Sequence, residues 1–156
     1  MRLETFQMLD RIETLDRKGQ TLTALSHVPR SSPVFDGHFP GHPIMPGVLL
    51  LETMAQAAGY LLMALNDFSR MPFFAAAKTA NFRAFVEPGA LLKVHAECVH
   101  LGSGYAVMST SLACRGRRVS DARLTMRTVA FPSPALEKHV IREGRRLGML
   151  ESGTVY

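Results

Sequence analysis

Residues 36–56 read DGHFPGHPIMPGVLLLETMAQ, and this stretch decides how the rest of the chain is arranged. Its first half is punctuated by Pro40, Pro43 and Pro46. Each proline fixes its own φ and pushes its predecessor out of the helical region, so an extended, stiff segment is predicted. Pro46-Gly47 then opens a run that is apolar on almost every side as far as Leu65, and Asn66-Asp67 closes it. A helix apolar all round is buried, in a protein core or in a bilayer. The run from Val48 to Leu65 comes close to the length a bilayer requires. Glu52 and Gln56 interrupt it, however, and an ionisable group inside a membrane is costly. Neither a second span nor a basic flank follows. No membrane span is therefore expected, and the helix is read as central, wrapped by a sheet.

The segments on either side supply that sheet. Upstream, FQMLDRIETL (6–15) and the Thr- and Val-containing QTLTALSHV (20–28) are predicted strands, followed by a loop over 29–36. Downstream, PFFAAAKTANFRAFV, LLKVHAECVHL, YAVMSTSLACR and RVSDARLTMRTVAF carry period-two stretches such as Leu92, Val94, Ala96 and Cys98. Glu87-Pro88-Gly89, Gly102-Ser103-Gly104 and Arg115-Gly116-Arg117 separate them as turns. Short connections between successive strands imply antiparallel pairing. The predicted class is α+β, with a curved antiparallel sheet around one long helix over residues 1–131. Residues 132–156 read as a C-terminal extension, since Pro132 and Pro134 end the last strand. There ALEKHVIREGRRLGML suggests a short amphipathic helix carrying Leu136, Val140 and Leu147 roughly on one side, with Gly144 counting against it.

Composition narrows the function classes. The 156 residues, 47% hydrophobic and 20% charged, are those of an ordinary single globular domain. Cys98 and Cys114 have no metal-ligand spacing and are read as small buried or half-buried residues in strands. The opening MRLETFQMLDRIETLDRK has acidic residues throughout and no long apolar run, so a cytoplasmic protein is expected. The net charge of +5 and a pI near 9.7 raise the question of nucleic acid. Apart from Arg115, Arg117 and Arg118, and Arg142, Arg145 and Arg146, the basic residues are scattered. No aromatic-rich basic strand or zinc-finger spacing accompanies them. No nucleic-acid partner is expected; the basic residues read either as a solvated surface or as a docking surface for an acidic partner.

Candidate chemistry lies in the opening stretch. Glu52 and Gln56 are one helical turn apart and share a face. A carboxyl group among Leu50, Leu51 and Met54 suits a proton donor, because apolar surroundings disfavour the charged form. The Gln56 amide is placed to orient it. His38 suits general-base work, since histidine changes protonation near neutral pH. Gly37 leaves room beside it and Phe39-Pro40 fix the chain; His42 has no partner at useful spacing. Gly47 stands at the helix N-terminus, where unpaired N–H groups carry partial positive charge and no side chain blocks approach. Base, acid and oxyanion donor are the parts needed to remove a proton beside a carbonyl and expel a β-hydroxyl. From spacing alone, a Glu-Gln pair facing water or a subunit contact and a surface histidine account for the same residues.

GHFPGHPIMPGVLLLETMAQ resembles the signature of the bacterial (3R)-3-hydroxyacyl-[acyl-carrier-protein] dehydratases of the FabZ type, which have the hot-dog fold. FQMLDRI resembles that family's early FLLVDRI-like strand, and KTANFRAFVEPGALL its KxxFRxxVxPGDxL segment, so the resemblance covers roughly residues 6–131. It implies that His38 acts at C2, that Glu52 protonates the departing hydroxyl and that Gln56 orients Glu52. It implies further that the Gly47 N–H meets the thioester carbonyl and that the Ile44 carbonyl holds the histidine ring. The sites would be shared across a homodimer, with a trimer of dimers as a larger assembly. An apolar acyl tunnel would run along the interface, with Phe73 and Phe74 as candidates for its wall. The implied partner is an acidic acyl carrier protein, and no metal or redox cofactor is implied. Glu52 stands where the sibling dehydratase-isomerases carry Asp, so isomerisation is not expected. Gly89-Ala90 in place of Gly-Asp, and a tail after Phe131 without counterpart in the short enzymes, point to a specialised member serving fatty acid or another lipid synthesis. The rivals are a hot-dog thioesterase, whose helix carboxylate activates water, and a non-catalytic hot-dog subunit that binds acyl chains.

Overall fold

The structure, a computed structural model, describes residues 1–149. The apolar run becomes one helix, α2 (Gly47–Leu65), preceded by the short α1 (Pro33–Gly37). Six strands surround it: β1 (Arg11–Asp16), β2 (Thr21–His27), β3 (Met71–Phe82), β4 (Leu91–Leu101), β5 (Tyr105–Cys114) and β6 (Arg117–Val129). They form one antiparallel sheet in the order β1-β2-β4-β5-β6-β3. This is the hot-dog arrangement, with α2 lying against β2 to β6.

Side-chain alternation explains the wrapping. In β4, Leu92, Val94, Ala96 and Cys98 turn inward, and Ala106, Met108, Thr110 and Leu112 do the same in β5. Successive side chains on a strand point to opposite faces, so each strand presents one apolar stripe to the helix. On α2, Leu50, Met54, Ala57, Ala58, Leu61 and Leu62 are buried in that same cluster. Each large side chain so buried contributes about 1.5–3 kcal/mol of transfer free energy. The small Ala57 and Ala58 let the helix sit close to the sheet. Helix α2 is long and apolar enough to cross a bilayer, but 61% of its most apolar window is buried inside the protein, which makes it a core helix. Thr53 is fully buried and returns its hydroxyl proton to the Leu49 carbonyl at 2.7 Å. Cys98 is buried in β4 and Cys114 half-buried in β5, as read from the sequence.

Three segments differ from the sequence reading. The strand expected over 6–15 starts only at Arg11. Ahead of it lie a 3₁₀ turn (Leu3–Thr5) and Phe6 in the left-handed region at φ 54°. The reason is a side chain from elsewhere: Gln56 on α2 bonds the backbone of Phe6 and Met8, so this segment follows the helix instead of the sheet. The loop expected over 29–36 contains α1, because Ser32 caps it by accepting from the Val34 N–H at 3.2 Å and Pro33 occupies its first turn. The stiff proline segment folds into a tight turn between Phe39 and His42, closed by reciprocal backbone bonds of 3.2 and 2.9 Å with Gly41 at φ +74°.

Within the described residues, which exclude 150–156, the extension forms α3 (Pro134–Arg146), started by Ser133 accepting from the Leu136 N–H and stopped by Gly148 at φ +84°. Its end satisfies two carbonyls at once, with Gly148 N–H on Arg145 and Met149 N–H on Gly144, both at 3.0 Å. Leu147 enters the main core, its carbonyl accepting from the Ile12 N–H at 2.8 Å. Gly144, which counted against a helix, is buried instead.

Strand β3 is an edge strand paired only with β6, and it is exposed from Phe73 to Phe82. Phe73, Phe74 and Phe82 are among its exposed side chains. A long, apolar, unpaired edge is a template for another chain.

Candidate active site

Glu52 stands on the second turn of α2, half-buried, with its carboxyl fixed by the next turn: Gln56 Nε2 donates to Glu52 Oε1 at 2.8 Å. The same amide nitrogen donates to the Phe6 carbonyl at 2.6 Å, and Gln56 Oε1 accepts from the Met8 N–H at 3.1 Å. With all these partners the amide cannot flip without losing bonds, so Glu52 meets a donor of fixed position. The two side chains border a cavity of about 520 Å³. Its walls are largely apolar, with Ala55, Gly59, Met63, Pro72, Phe74 and Met126 among them. At Gly59 an added Cβ would lie 3.3 Å from the Pro72 ring, so glycine keeps α2 close to β3 here.

His38 lies at the C-terminal end of α1, half-buried, its ring stacked on Phe39 at 4.1 Å between centroids. Its Nδ1 is 3.1 Å from the Ile44 carbonyl, and the Ile44 N–H returns to the His38 carbonyl at 2.9 Å. A carbonyl oxygen only accepts, so Nδ1 is the donor in this contact, and in the neutral ring Nε2 then carries the lone pair. The Met45 N–H bonds the Val86 carbonyl at 2.7 Å and anchors the segment to the body of the domain. Gly47 is the first helical residue after Pro46, where its N–H has no acceptor within the helix.

Within one chain the two halves do not border one cavity. His38 is not among the residues that border the Glu52 cavity, and Gly47 is not either. Phe74 borders it; Phe73, 55% exposed, does not. His42 packs edge-on to Phe85 at 6.4 Å. Three contributors lie outside the residues read from the sequence. Phe6 and Met8 hold Gln56 through their backbone, which no side-chain pattern reports. Tyr60 and Met63 continue the Glu52-Gln56 stripe along α2, a spacing that extending the same helical face would have picked out. Tyr60 has its phenol pushed up to about 12, chiefly by burial and then by Glu143. The third is α3 with its C-cap, where His139, Val140, Glu143 and Leu147 add to the cavity wall.

A second depression, of about 880 Å³, is lined by Arg30, Arg83, Arg115, Arg117 and Arg118 with Glu87. Folding thus brings Arg30 and Arg83 to the cluster of Arg115, Arg117 and Arg118 that the sequence already shows. Arg83 is tied to Asp121, whose carboxyl is held below its usual range by the Asn81 and Arg83 hydrogen bonds. Among the described residues no three His, Cys, Asp or Glu side chains cluster as a metal site.

Residues 2–123 match the FabA-like domain. The 3-hydroxyacyl-[acyl-carrier-protein] dehydratase FabZ of Syntrophotalea carbinolica is 37% identical over 121 residues, covering 76% of this chain and 82% of its own. That of Symbiobacterium thermophilum is 36% identical over 133 residues, covering 83% and 93%. Among solved structures, a hypothetical thioesterase from Streptococcus pneumoniae with coenzyme A superposes at a TM-score of 0.61. It covers 79% of this chain and 90% of its own at 20% identity, a likeness of fold alone. The chain belongs to the FabA-like family of hot-dog proteins, and within it to the FabZ type of 3-hydroxyacyl-[acyl-carrier-protein] dehydratases.

Proposed function

We propose that this protein is a hydro-lyase that converts (3R)-3-hydroxyacyl thioesters on acyl carrier protein into trans-2-enoyl thioesters. The observation that carries the reading is the Glu52 carboxyl, held by Gln56 at the border of an apolar cavity. His38 Nε2 takes the proton from C2, and the electron pair moves toward the thioester carbonyl. The Gly47 N–H, backed by the partial positive charge of the α2 terminus, stabilises the oxygen as charge develops. Glu52 of the partner subunit gives its proton to the C3 hydroxyl, which leaves as water while the C2–C3 double bond forms. The proton on His38 and the empty place on Glu52 are reset through solvent. The absence of His38 from the Glu52 cavity within one chain supports a site shared across a homodimer. The exposed β3 edge supplies the place for that contact. The arginine-lined groove offers the acidic carrier protein a docking surface. The compartment is cytoplasmic.

A spectrophotometric assay of enoyl-thioester hydration on acyl carrier protein tests the roles with wild type, His38→Ala and Glu52→Gln. Each variant is expected to lose roughly a hundredfold or more in rate. Mixing the two should restore activity, because heterodimers contain one site with both groups. Wild-type rates in both variants would remove the assignment. Hydrolysis of the acyl thioester without loss of enoyl absorbance would mean a thioesterase instead.

A further inference from the structure

The cavity that Glu52 borders is lined on one side by a part of the chain beyond the FabA-like match, which ends at residue 123. Helix α3 begins at Pro134 and contributes His139, Val140 and Glu143 to the cavity wall, and its C-cap Leu147 adds to it. The wall is pinned in place. Arg146 donates to the Leu9 carbonyl at 3.2 Å, the Leu147 carbonyl accepts from Ile12, and Leu147 itself is buried. Val140 and Ile141 pack against Met63 and Phe68. The contact between α3 and α2 therefore falls near Tyr60 and Met63, two to three turns beyond Glu52.

We propose that α3 is the end wall of the acyl-binding cavity and sets the length of chain the enzyme accepts, an inference that rests on the dehydratase reading. A substrate with C3 at Glu52 runs its alkyl chain along the α2 stripe of Gln56, Gly59, Tyr60 and Met63, all of which line the cavity. Positions 52 and 63 are about 16 Å apart along the helix axis. An extended alkyl chain advances about 1.25 Å per carbon, given bonds of about 1.5 Å. Roughly a dozen carbons beyond C3 therefore reach Met63 and Val140. There Val140 and Ile141 close against Met63 and Phe68, while Glu143 and Arg146 stand beside Tyr60 and Leu9, on the Gln56 side. Further methylenes would have to part Val140 and Ile141 from Met63 and Phe68, forcing apart packed apolar contacts. Medium-length chains gain the whole apolar stripe; longer ones meet the wall.

The test is a chain-length profile of the full-length protein. Wild type, Val140→Phe and Val140→Ala are assayed on 3-hydroxyacyl thioesters of increasing length. Their affinities for saturated acyl thioesters of the same lengths are measured by calorimetry. Val140→Phe is expected to lower the long-to-short ratio of kcat/KM by roughly tenfold or more, since a pocket discriminates single methylenes by about that factor. Val140→Ala should move the ratio the other way, and it carries the test alone if the bulkier variant does not fold. Affinities for the saturated thioesters should shift in parallel with the rates. Identical length profiles in the folded variants and wild type would overturn the wall. A wild type that binds saturated thioesters by length yet dehydrates none would overturn the dehydratase reading and leave the wall standing.

Discussion

Replacing Gln56 separates two tasks that one amide performs. In Gln56→Ala three hydrogen bonds disappear: to Glu52 at 2.8 Å, to the Phe6 carbonyl at 2.6 Å and from the Met8 N–H at 3.1 Å. The last two tie the N-terminal segment to α2, where Met8 and Leu9 are buried. At about 0.5–1.5 kcal/mol net for each bond, the expected loss of stability is about 1.5–4.5 kcal/mol. Urea unfolding reads it, at one fixed protomer concentration because association shifts apparent stability. Catalysis suffers separately. Without its donor the Glu52 carboxyl rotates, and a misplacement of about 1 Å is worth up to about a hundredfold in rate. That loss is expected in kcat more than in KM, since Gln56 is proposed to act through Glu52. Gln56→Glu sharpens the comparison. Its carboxylate still accepts from Met8, but it faces two further oxygens where the amide had donated. It should be worse than alanine at neutral pH and recover as acid supplies a proton between the oxygens. A Gln56→Ala variant within a few tenths of a kcal/mol of wild type, turning over at the wild-type kcat, would refute both halves of the reasoning.

Two further outcomes are expected. Burial and Glu143 raise the Tyr60 phenol to about 12 from an ordinary value near 10, so the folded state holds that proton more tightly than the unfolded state does. Its stabilising contribution is complete below about pH 10 and is lost as pH rises towards about 12. Unfolding midpoints across that range should fall for wild type and stay flatter for Tyr60→Phe; equal slopes would sink the assignment. Phe73, on the unpaired β3 edge, is 55% exposed, so Phe73→Asp should change the stability of the single chain by about 0.5 kcal/mol or less. Light scattering should nevertheless show dissociation, with activity falling in step. A variant that keeps the wild-type mass and rate would place the subunit contact elsewhere.

What the sequence disclosed follows from where each signal is stored. The α2 run from Gly47 to Leu65 was readable to the residue, because Pro46-Gly47 and Asn66-Asp67 mark its ends in local chemistry. The strands β4 to β6 were readable from period-two burial, within a residue or two at their ends. The Glu52-Gln56 pair was readable because two polar side chains in an apolar helix violate the pattern around them. The path of residues 3–10 was not. It is set by a bond from Gln56 across 48 to 50 positions, and the apolar spacing of Leu9 and Ile12 fits a strand equally well.

The far end of the cavity escaped for the opposite reason. Tyr60 and Met63 are the residue types any core helix carries, so nothing in their identity separates a binding wall from a packed interior. Once α3 covers them the two cases diverge, because a packed interior leaves no space of about 520 Å³ beside a carboxyl group. The extension supplies Leu147 to the main core yet leaves Val140 facing the cavity. A tail serving only stability would fill the space it covers. Helix α3 instead lines it, with Val140 against Met63 about three helical turns from Glu52, and that placement fits a ligand with one reactive end and a hydrocarbon tail.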